Sequence, residues 1–216
     1  MTEQRKTRNS YDEIARDYAD NLGAELDAKP LDRALLDVVA QSSSGGVVAD
    51  IGAGPGHVAG YLARRGAEVV STDLSPAMCS LAAAREGVAS FASDMCALPL
   101  QSASLAGIVC FYSVIHLDDE SRSRAYAEFA RVLRPGAHAL IAFHTCDAET
   151  AAGQARTADQ MMGHEVDLTF RFIDPLEESR RLAAAGLAHV ARLDRAPIAG
   201  AEHPSERAYL LVRRQA

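Results

Sequence analysis

The sequence predicts an α/β fold, namely a doubly wound, mostly parallel seven-stranded sheet with an antiparallel edge strand. From residue 47 onward, short apolar runs alternate with segments of helical apolar spacing, which is typical of a parallel sheet covered by helices on both faces. Loop 50–56, between the first run and its helix, contains three glycines. Two apolar runs near the end are separated by a segment rich in proline and glycine, which predicts an antiparallel pair at the sheet edge.

Capping residues and helix breakers bound the predicted elements. Ser10 and Glu13 form a capping box that predicts a helix over about 10–21, and Pro30 begins a second helix that ends before the Ser/Gly-rich segment 42–46. The elements that follow are strands at 47–51, 68–72, 89–92, 105–111 and 137–144, with helices at 56–65, 75–86 and 119–133. The last part is predicted as a helical segment 147–163, a strand at 166–172, a helix from 173–175 to Gly186, and strands at 187–193 and 208–212.

Length and composition favour one globular domain over 1–216, with a lid helix at about 10–21 and a substrate cap at about 145–172. The 216 residues are enough for a substantial core. Because the net charge is −7 and the sequence shows no basic stripe, we expect no nucleic-acid partner. The sequence shows neither an apolar signal core nor an apolar run long enough to span a bilayer, so we expect no membrane partner and a cytoplasmic location. We expect a monomer or a homodimer. The four cysteines lack metal-site spacing, so we expect no metal.

The glycine loop predicts a nucleotide-like ligand, because glycines allow close backbone approach and the next helix offers free N–H groups. Its pattern is G-x-G-x-G, since Gly56 is the third glycine and His57 stands where a dinucleotide site requires glycine. Asp50 would repel a pyrophosphate but suits an ammonium group. Asp73, about 20 residues beyond the loop, can accept hydrogen bonds from ribose hydroxyls, and Asp94 can accept one from the adenine amine. Together the three acids favour S-adenosylmethionine over a dinucleotide.

Five motifs, in the same order, resemble those of class I S-adenosylmethionine-dependent methyltransferases of the small-molecule, methyltransferase domain 11 kind. They are DIGAGPG at 50–56, TDLSPAM at 72–78, SDMCALP at 93–99, FYSVIH at 111–116 and RVLRPG at 131–136. The resemblance covers roughly residues 10–145 and implies a Rossmann-like fold with S-adenosylmethionine as cofactor. Members of this family differ in the part after residue 145, so the resemblance indicates the cofactor and leaves the acceptor open.

The resemblance also implies which residues contact the cofactor. Its methionine part would lie by Asp50, Gly52, Ala53, Gly54 and Phe111, its ribose on Asp73, and its adenine among Leu74, Met78, Asp94 and Met95, with Tyr11 and Tyr18 closing over it. Aromatic rings suit a sulfonium through cation–π attraction.

His116 and His144 are candidate general bases, because each follows a strand at the ligand end of the sheet. Methyl transfer can also proceed by positioning alone. Arg171 is a candidate partner for an acceptor carboxylate. The predicted function is methyl transfer from S-adenosylmethionine to a small-molecule acceptor. The alternative function is that of a non-methylating protein that senses S-adenosylmethionine or uses it for other chemistry. A less favoured alternative is an NAD(P)-dependent oxidoreductase, which His57 and Asp50 disfavour.

Overall fold

The structure, a computed structural model, describes residues 1–43 and 45–216. Its helices are α1 Glu3–Leu22, α2 Pro30–Ser42, α3 His57–Arg64, α4 Pro76–Ala83, α5 Asp119–Val132 and α6 Pro175–Ala184, with short 3-10 turns at Glu25–Ala28 and Val114–His116. Its strands are β1 Val47–Ile51, β2 Glu68–Asp73, β3 Val88–Ala92, β4 Leu105–Phe111, β5 Leu133–Asp147, β6 Ala155–Met161, β7 His164–Arg171, β8 Leu187–Arg195 and β9 Ser205–Arg214. Among the described residues, no helix combines the length and apolar character needed to cross a membrane.

The main sheet has seven strands in the order β3-β2-β1-β4-β5-β9-β8, which confirms the predicted α/β fold. The five strands from β3 to β5 are parallel to one another. Strand β9 runs antiparallel to both β5 and β8 and so lies one position in from the edge. The carboxyl ends of β1, β2 and β4 consequently meet at one side of the sheet.

Two apolar layers cover the faces of the sheet. Neighbouring residues of a strand point to opposite layers, since Ile108 packs with Phe129 of α5 while Val109 packs with Leu36 of α2. All four side chains are fully buried. Burial on both faces explains why the central strands are continuous apolar runs in the sequence.

Helix α1 begins earlier than the capping box predicted. Thr2, not Ser10, is the N-cap, because its hydroxyl accepts a hydrogen bond from the Arg5 N–H. Ser10 lies within the helix, and its hydroxyl accepts the Asp167 N–H of β7 instead. The helix packs against α4 and β7, where fully buried Ile14 contacts the apolar face of β7.

The helical prediction for 147–163 is wrong. Strand β5 continues to Asp147, and β6 pairs with β7 as a two-stranded antiparallel hairpin. Met162 and Gly163 form its turn, and both have positive φ, at 54° and 83°, as a two-residue hairpin turn requires. The segment lies apart from the main core and buries little, so its sequence lacks the strong apolar alternation by which a strand is recognised.

Candidate active site

A cavity of about 370 Å³ lies at the carboxyl ends of β1, β2 and β4, under helix α1. Most of the residues that the sequence predicted for the site line it, namely Tyr11, Tyr18, Gly52, Gly54, Asp73, Leu74, Met78, Asp94, Met95, Phe111 and His116. Asp50, Ala53 and His144 are not part of its lining. The parallel strands therefore bring together side chains that are up to about a hundred residues apart, because their carboxyl ends share one edge.

The glycine loop forms the floor of the cavity, and its three glycines serve different purposes. All have positive φ, at 71° for Gly52, 53° for Gly54 and 74° for Gly56. A Cβ on Gly52 would lie 2.3 Å from the Ser113 side chain, and one on Gly56 would lie 2.7 Å from Ala82. Among the described residues, the atom nearest to a Cβ on Gly54 would be a Tyr18 ring carbon at 3.9 Å. The space above Gly54 is thus the part of the loop that is open to a ligand.

Asp73 connects the loop to the next helix. One carboxylate oxygen accepts the Gly54 N–H at 2.8 Å, and the other accepts the Ser75 N–H at 2.9 Å. Burial raises the pKa of Asp73, while these backbone hydrogen bonds oppose the rise. A carboxylate has about four lone-pair sites, so both oxygens can still accept a hydroxyl from the cavity.

Asp50 and Ala53 lie behind the cavity wall. Asp50 is only 1% exposed, and its carboxylate accepts the Ala59 N–H at 2.9 Å, which joins the end of β1 to α3. Burial raises the pKa of Asp50 to about 7. The Ala59 hydrogen bond opposes this rise, and the charge of Asp73 adds to it. Asp50 thus lies beneath the loop, outside the cavity lining, and its contact with an ammonium group stays a prediction.

Asp94 and Met95 line the cavity together with the start of α5. Asp94 accepts the Cys96 N–H at 2.9 Å, which fixes the turn after β3. The methyl carbon of Met95 would lie 3.4 Å from a Cβ on Gly52, so Met95 reaches over the glycine loop. Ser121 and Arg124 of α5 complete this end of the cavity.

His116 and Tyr11 form a hydrogen-bonded pair at the opposite wall. His116 Nδ1 lies 2.9 Å from the Thr169 carbonyl oxygen, and Nε2 lies 2.8 Å from the Tyr11 hydroxyl. Because a carbonyl only accepts, Nδ1 carries the proton and Tyr11 donates to the free lone pair of Nε2. Burial lowers the pKa of His116 to about 4 and raises that of Tyr11 well above its usual value. Both side chains are therefore neutral near pH 7.

His144 lies outside the cavity because β5 continues past it and pairs with β9, opposite Arg207. Its ring stacks on Tyr112 with centroids 4.9 Å apart, and its Nδ1 lies 2.7 Å from the Ser205 hydroxyl. Burial and the charge of Arg207 lower the pKa of His144 to about 3. His144 thus supports Tyr112 from behind.

Tyr112 lines the cavity and was not among the predicted site residues. Its φ of 53° is unusual for a residue with a side chain, and such strain is concentrated at functional sites. Its hydroxyl lies 2.6 Å from that of Tyr209, which in turn donates to Asp32 at 2.9 Å. Residues before the predicted start of α1 were missed as well, among them Thr2, Glu3 and Thr7. These residues could be assigned to the site only once the structure showed that α1 begins at Glu3.

Residues 48–136 match the family model of a methyltransferase domain. Among solved structures of similar fold is an S-adenosylmethionine-dependent methyltransferase from Methanosarcina mazei, at 17% identity and a TM-score of 0.72 over 82% of this chain and 97% of that one. A putative methyltransferase from Haloferax volcanii, solved in complex with the Trm112 activator, aligns at 18% identity and a TM-score of 0.70 over 95% and 98% of the two chains.

A third structure of similar fold is the geranyl diphosphate C-methyltransferase from Streptomyces coelicolor A3(2), in complex with Mg²⁺, geranyl-S-thiolodiphosphate and S-adenosyl-L-homocysteine. It has 17% identity and a TM-score of 0.64 over 85% of this chain and 76% of that one. A search of curated proteins found no match.

The family match and the fold confirm the class that the motifs predicted. Residues 48–136 form a methyltransferase domain, and the chain has the fold of class I S-adenosylmethionine-dependent methyltransferases. S-adenosylmethionine is accordingly its cofactor.

Proposed function

We propose that this methyltransferase acts on a small-molecule acceptor, which reaches the methyl group inside the cavity under α1. The position of α1 over that cavity is the observation that carries the proposal. Helix α1 is joined to the β6–β7 hairpin by the Glu3–Arg171 and Lys6–Asp167 ion pairs, both at 2.8 Å. Arg171 also donates to the His116 carbonyl oxygen at 3.0 Å. This cover favours an acceptor that is small enough to enter the cavity beneath α1.

The residues that line the cavity fit S-adenosylmethionine. Above Gly54 the backbone leaves open space, and the carboxylates of Asp73 and Asp94 provide acceptors for ribose hydroxyls and an amine. Tyr11 and Tyr18, with ring centroids 5.9 Å apart, present aromatic faces to a cation. When bound, the cofactor supplies a methyl group on a positively charged sulfur, so the acceptor gains the methyl and S-adenosylhomocysteine remains.

The hydrogen-bonded pair Tyr11–His116 provides a route for the acceptor's proton. Tyr11 is the member of the pair that donates, so its oxygen retains lone pairs that can receive a proton as its own moves to His116 Nε2. The Thr169 carbonyl, which accepts from Nδ1, holds the ring in the tautomer that leaves Nε2 free to receive it. Because burial lowers the pKa of His116 to about 4, the imidazole is neutral near pH 7 and its Nε2 lone pair is free.

The experiment uses S-adenosylmethionine with a radiolabelled methyl group. The purified protein is incubated with the small-molecule and macromolecular fractions of a cell extract, and the label in each fraction is counted. We expect label in the small-molecule fraction together with S-adenosylhomocysteine, and much less of both with the His116→Ala variant. Label confined to the macromolecular fraction would contradict a small-molecule acceptor.

A binding measurement separates the enzyme from its alternatives. S-adenosylhomocysteine should raise the melting temperature by mass action, and NAD and NADP should leave it unchanged. Stabilisation by S-adenosylhomocysteine with no labelled product in any fraction would instead favour a non-methylating protein.

A further inference from the structure

A second cavity, of about 460 Å³, lies on the outer side of helix α3. It is bounded by the connection between α1 and α2, by α3, and by Arg85 just after α4. None of the described residues lines both this cavity and the one under α1. The two sites are therefore separate.

The lining of this second cavity is unusually cationic for a chain with a net charge of −7. It contains Arg33, Arg64, Arg65 and Arg85, with Asp27 as the one acid among the described residues. Arg65 pairs with Asp37 at 3.1 Å. The other three arginines form no ion pair with any carboxylate in the described part of the chain.

The positions of two of these arginines bring their charges together. A Cβ on Gly60 would lie 3.2 Å from Arg85 Cδ and 3.5 Å from an Arg64 terminal nitrogen, so both side chains cross the same glycine of α3. Burial and the neighbouring Arg64 charge lower the pKa of Arg85. Like charges held this close without a carboxylate are unfavourable until an anion neutralises them.

Backbone contacts hold two of the arginines in place. Arg85 Nε donates to the Pro55 carbonyl at 2.7 Å, and Arg33 donates to the carbonyls of Leu26 and Asp27. His57 also lines the cavity, and its buried Nδ1 has no hydrogen-bond partner among the described residues. Guanidinium groups fixed in this manner match phosphate oxygens, which accept paired N–H donors.

We propose that this cavity, formed by Arg33, Arg64 and Arg85, binds a small molecule that carries two or more phosphate groups. Its volume exceeds that of a single phosphate and falls within the range of small-ligand pockets. The acidic balance of the whole chain opposes a nucleic acid, whose affinity rests on an extended basic surface.

Calorimetric titration with inorganic pyrophosphate tests the proposal, at constant ionic strength and without divalent metal. We expect saturable binding of one pyrophosphate per chain and at least a tenfold loss of affinity in Arg64→Glu. The Arg64 side chain is exposed and has no hydrogen-bond partner among the described residues, so we expect its replacement to leave the fold intact. Arg180→Glu is the matched control, because Arg180 is an exposed helical arginine of α6, distant from the cavity.

Two further titrations locate the site and identify the class of ligand. With S-adenosylhomocysteine in excess, pyrophosphate should bind unchanged, since the two cavities share no residue. Absence of saturable binding, equal losses in Arg64→Glu and Arg180→Glu, or displacement by S-adenosylhomocysteine would each overturn the proposal. Tighter binding of a single-stranded RNA, abolished by Arg64→Glu, would overturn it in favour of a macromolecular polyanion.

Discussion

Replacing the glycines of loop 50–56 by alanine should separate folding from cofactor binding. Gly52 and Gly54 both have positive φ, but only Gly52 is crowded, with Ser113 2.3 Å from the position of a Cβ. A Cβ on Gly54 would instead project into open space beside Tyr18. Gly186 has a φ of 86°, and a Cβ on it would have no heavy atom of the described residues within 4 Å, so Gly186→Ala reports the cost of backbone strain alone.

The expected costs differ between the three variants. Left-handed backbone costs an alanine about 1–2 kcal/mol, and this applies to Gly186→Ala and Gly54→Ala alike. Gly52→Ala adds an overlap with Ser113, and overpacking of this kind costs about 1–3 kcal/mol more. We therefore expect Gly52→Ala to lose about 2–5 kcal/mol of unfolding free energy, whereas Gly54→Ala loses only the strain.

Urea denaturation gives the unfolding free energies, and calorimetric titration with S-adenosylhomocysteine gives the affinities. Gly54→Ala should fold nearly as well as Gly186→Ala yet bind S-adenosylhomocysteine at least tenfold more weakly, because its methyl group fills space that the cofactor needs. Normal affinity in Gly54→Ala would refute the placement of the cofactor above this glycine. Equal stability of Gly52→Ala and Gly186→Ala would refute the steric argument.

Three further predictions concern His116 and Asp73. His116→Ala should lower turnover by roughly 10²–10⁴-fold in the methyl-transfer assay. The affinity for S-adenosylhomocysteine should stay constant, because the imidazole acts on the acceptor. Unchanged turnover would mean that catalysis occurs by positioning alone. Because the pKa of His116 falls from 6.5 to about 4 on folding, the unfolded chain takes up the proton first as pH drops. The stability that His116 contributes is therefore complete above about pH 6.5 and is lost toward pH 4. In urea denaturation, lowering the pH from 7 to 5 should cost the protein about 2 kcal/mol more unfolding free energy than it costs the His116→Asn variant. Equal losses in the two proteins would contradict the lowered pKa of His116. Asp73→Ala should weaken the binding of S-adenosylhomocysteine, measured by calorimetry, by about 1–3 kcal/mol, which is the usual cost of losing hydrogen bonds to a charged group. An unchanged affinity in the folded variant would mean that the ribose lies elsewhere.

The N-terminal helix and the hairpin show where prediction from the sequence failed. The box Ser10–Glu13 has the residues of a helix start, but Ser10 is used by β7 and the helix begins beside Thr2. Segment 147–163 looks helical from its sequence, although polar on most sides, yet it contains β6, whose residues are half-buried or exposed and pair with β7. Both errors arise where contacts distant in sequence outweigh local preference.

The sequence by itself determined the sheet, the glycine loop and the class of enzyme. Central strands buried on both faces must be apolar, and a loop that crosses Ser113 and Ala82 without space for a Cβ must contain glycine, so these constraints are visible in the residues themselves. Only the tertiary structure decided that Asp50 lies behind the cavity wall, that His116 faces Tyr11, and that His144 lies behind Tyr112. Which way a side chain at a strand end points depends on the elements packed beside it, and those come from distant parts of the chain.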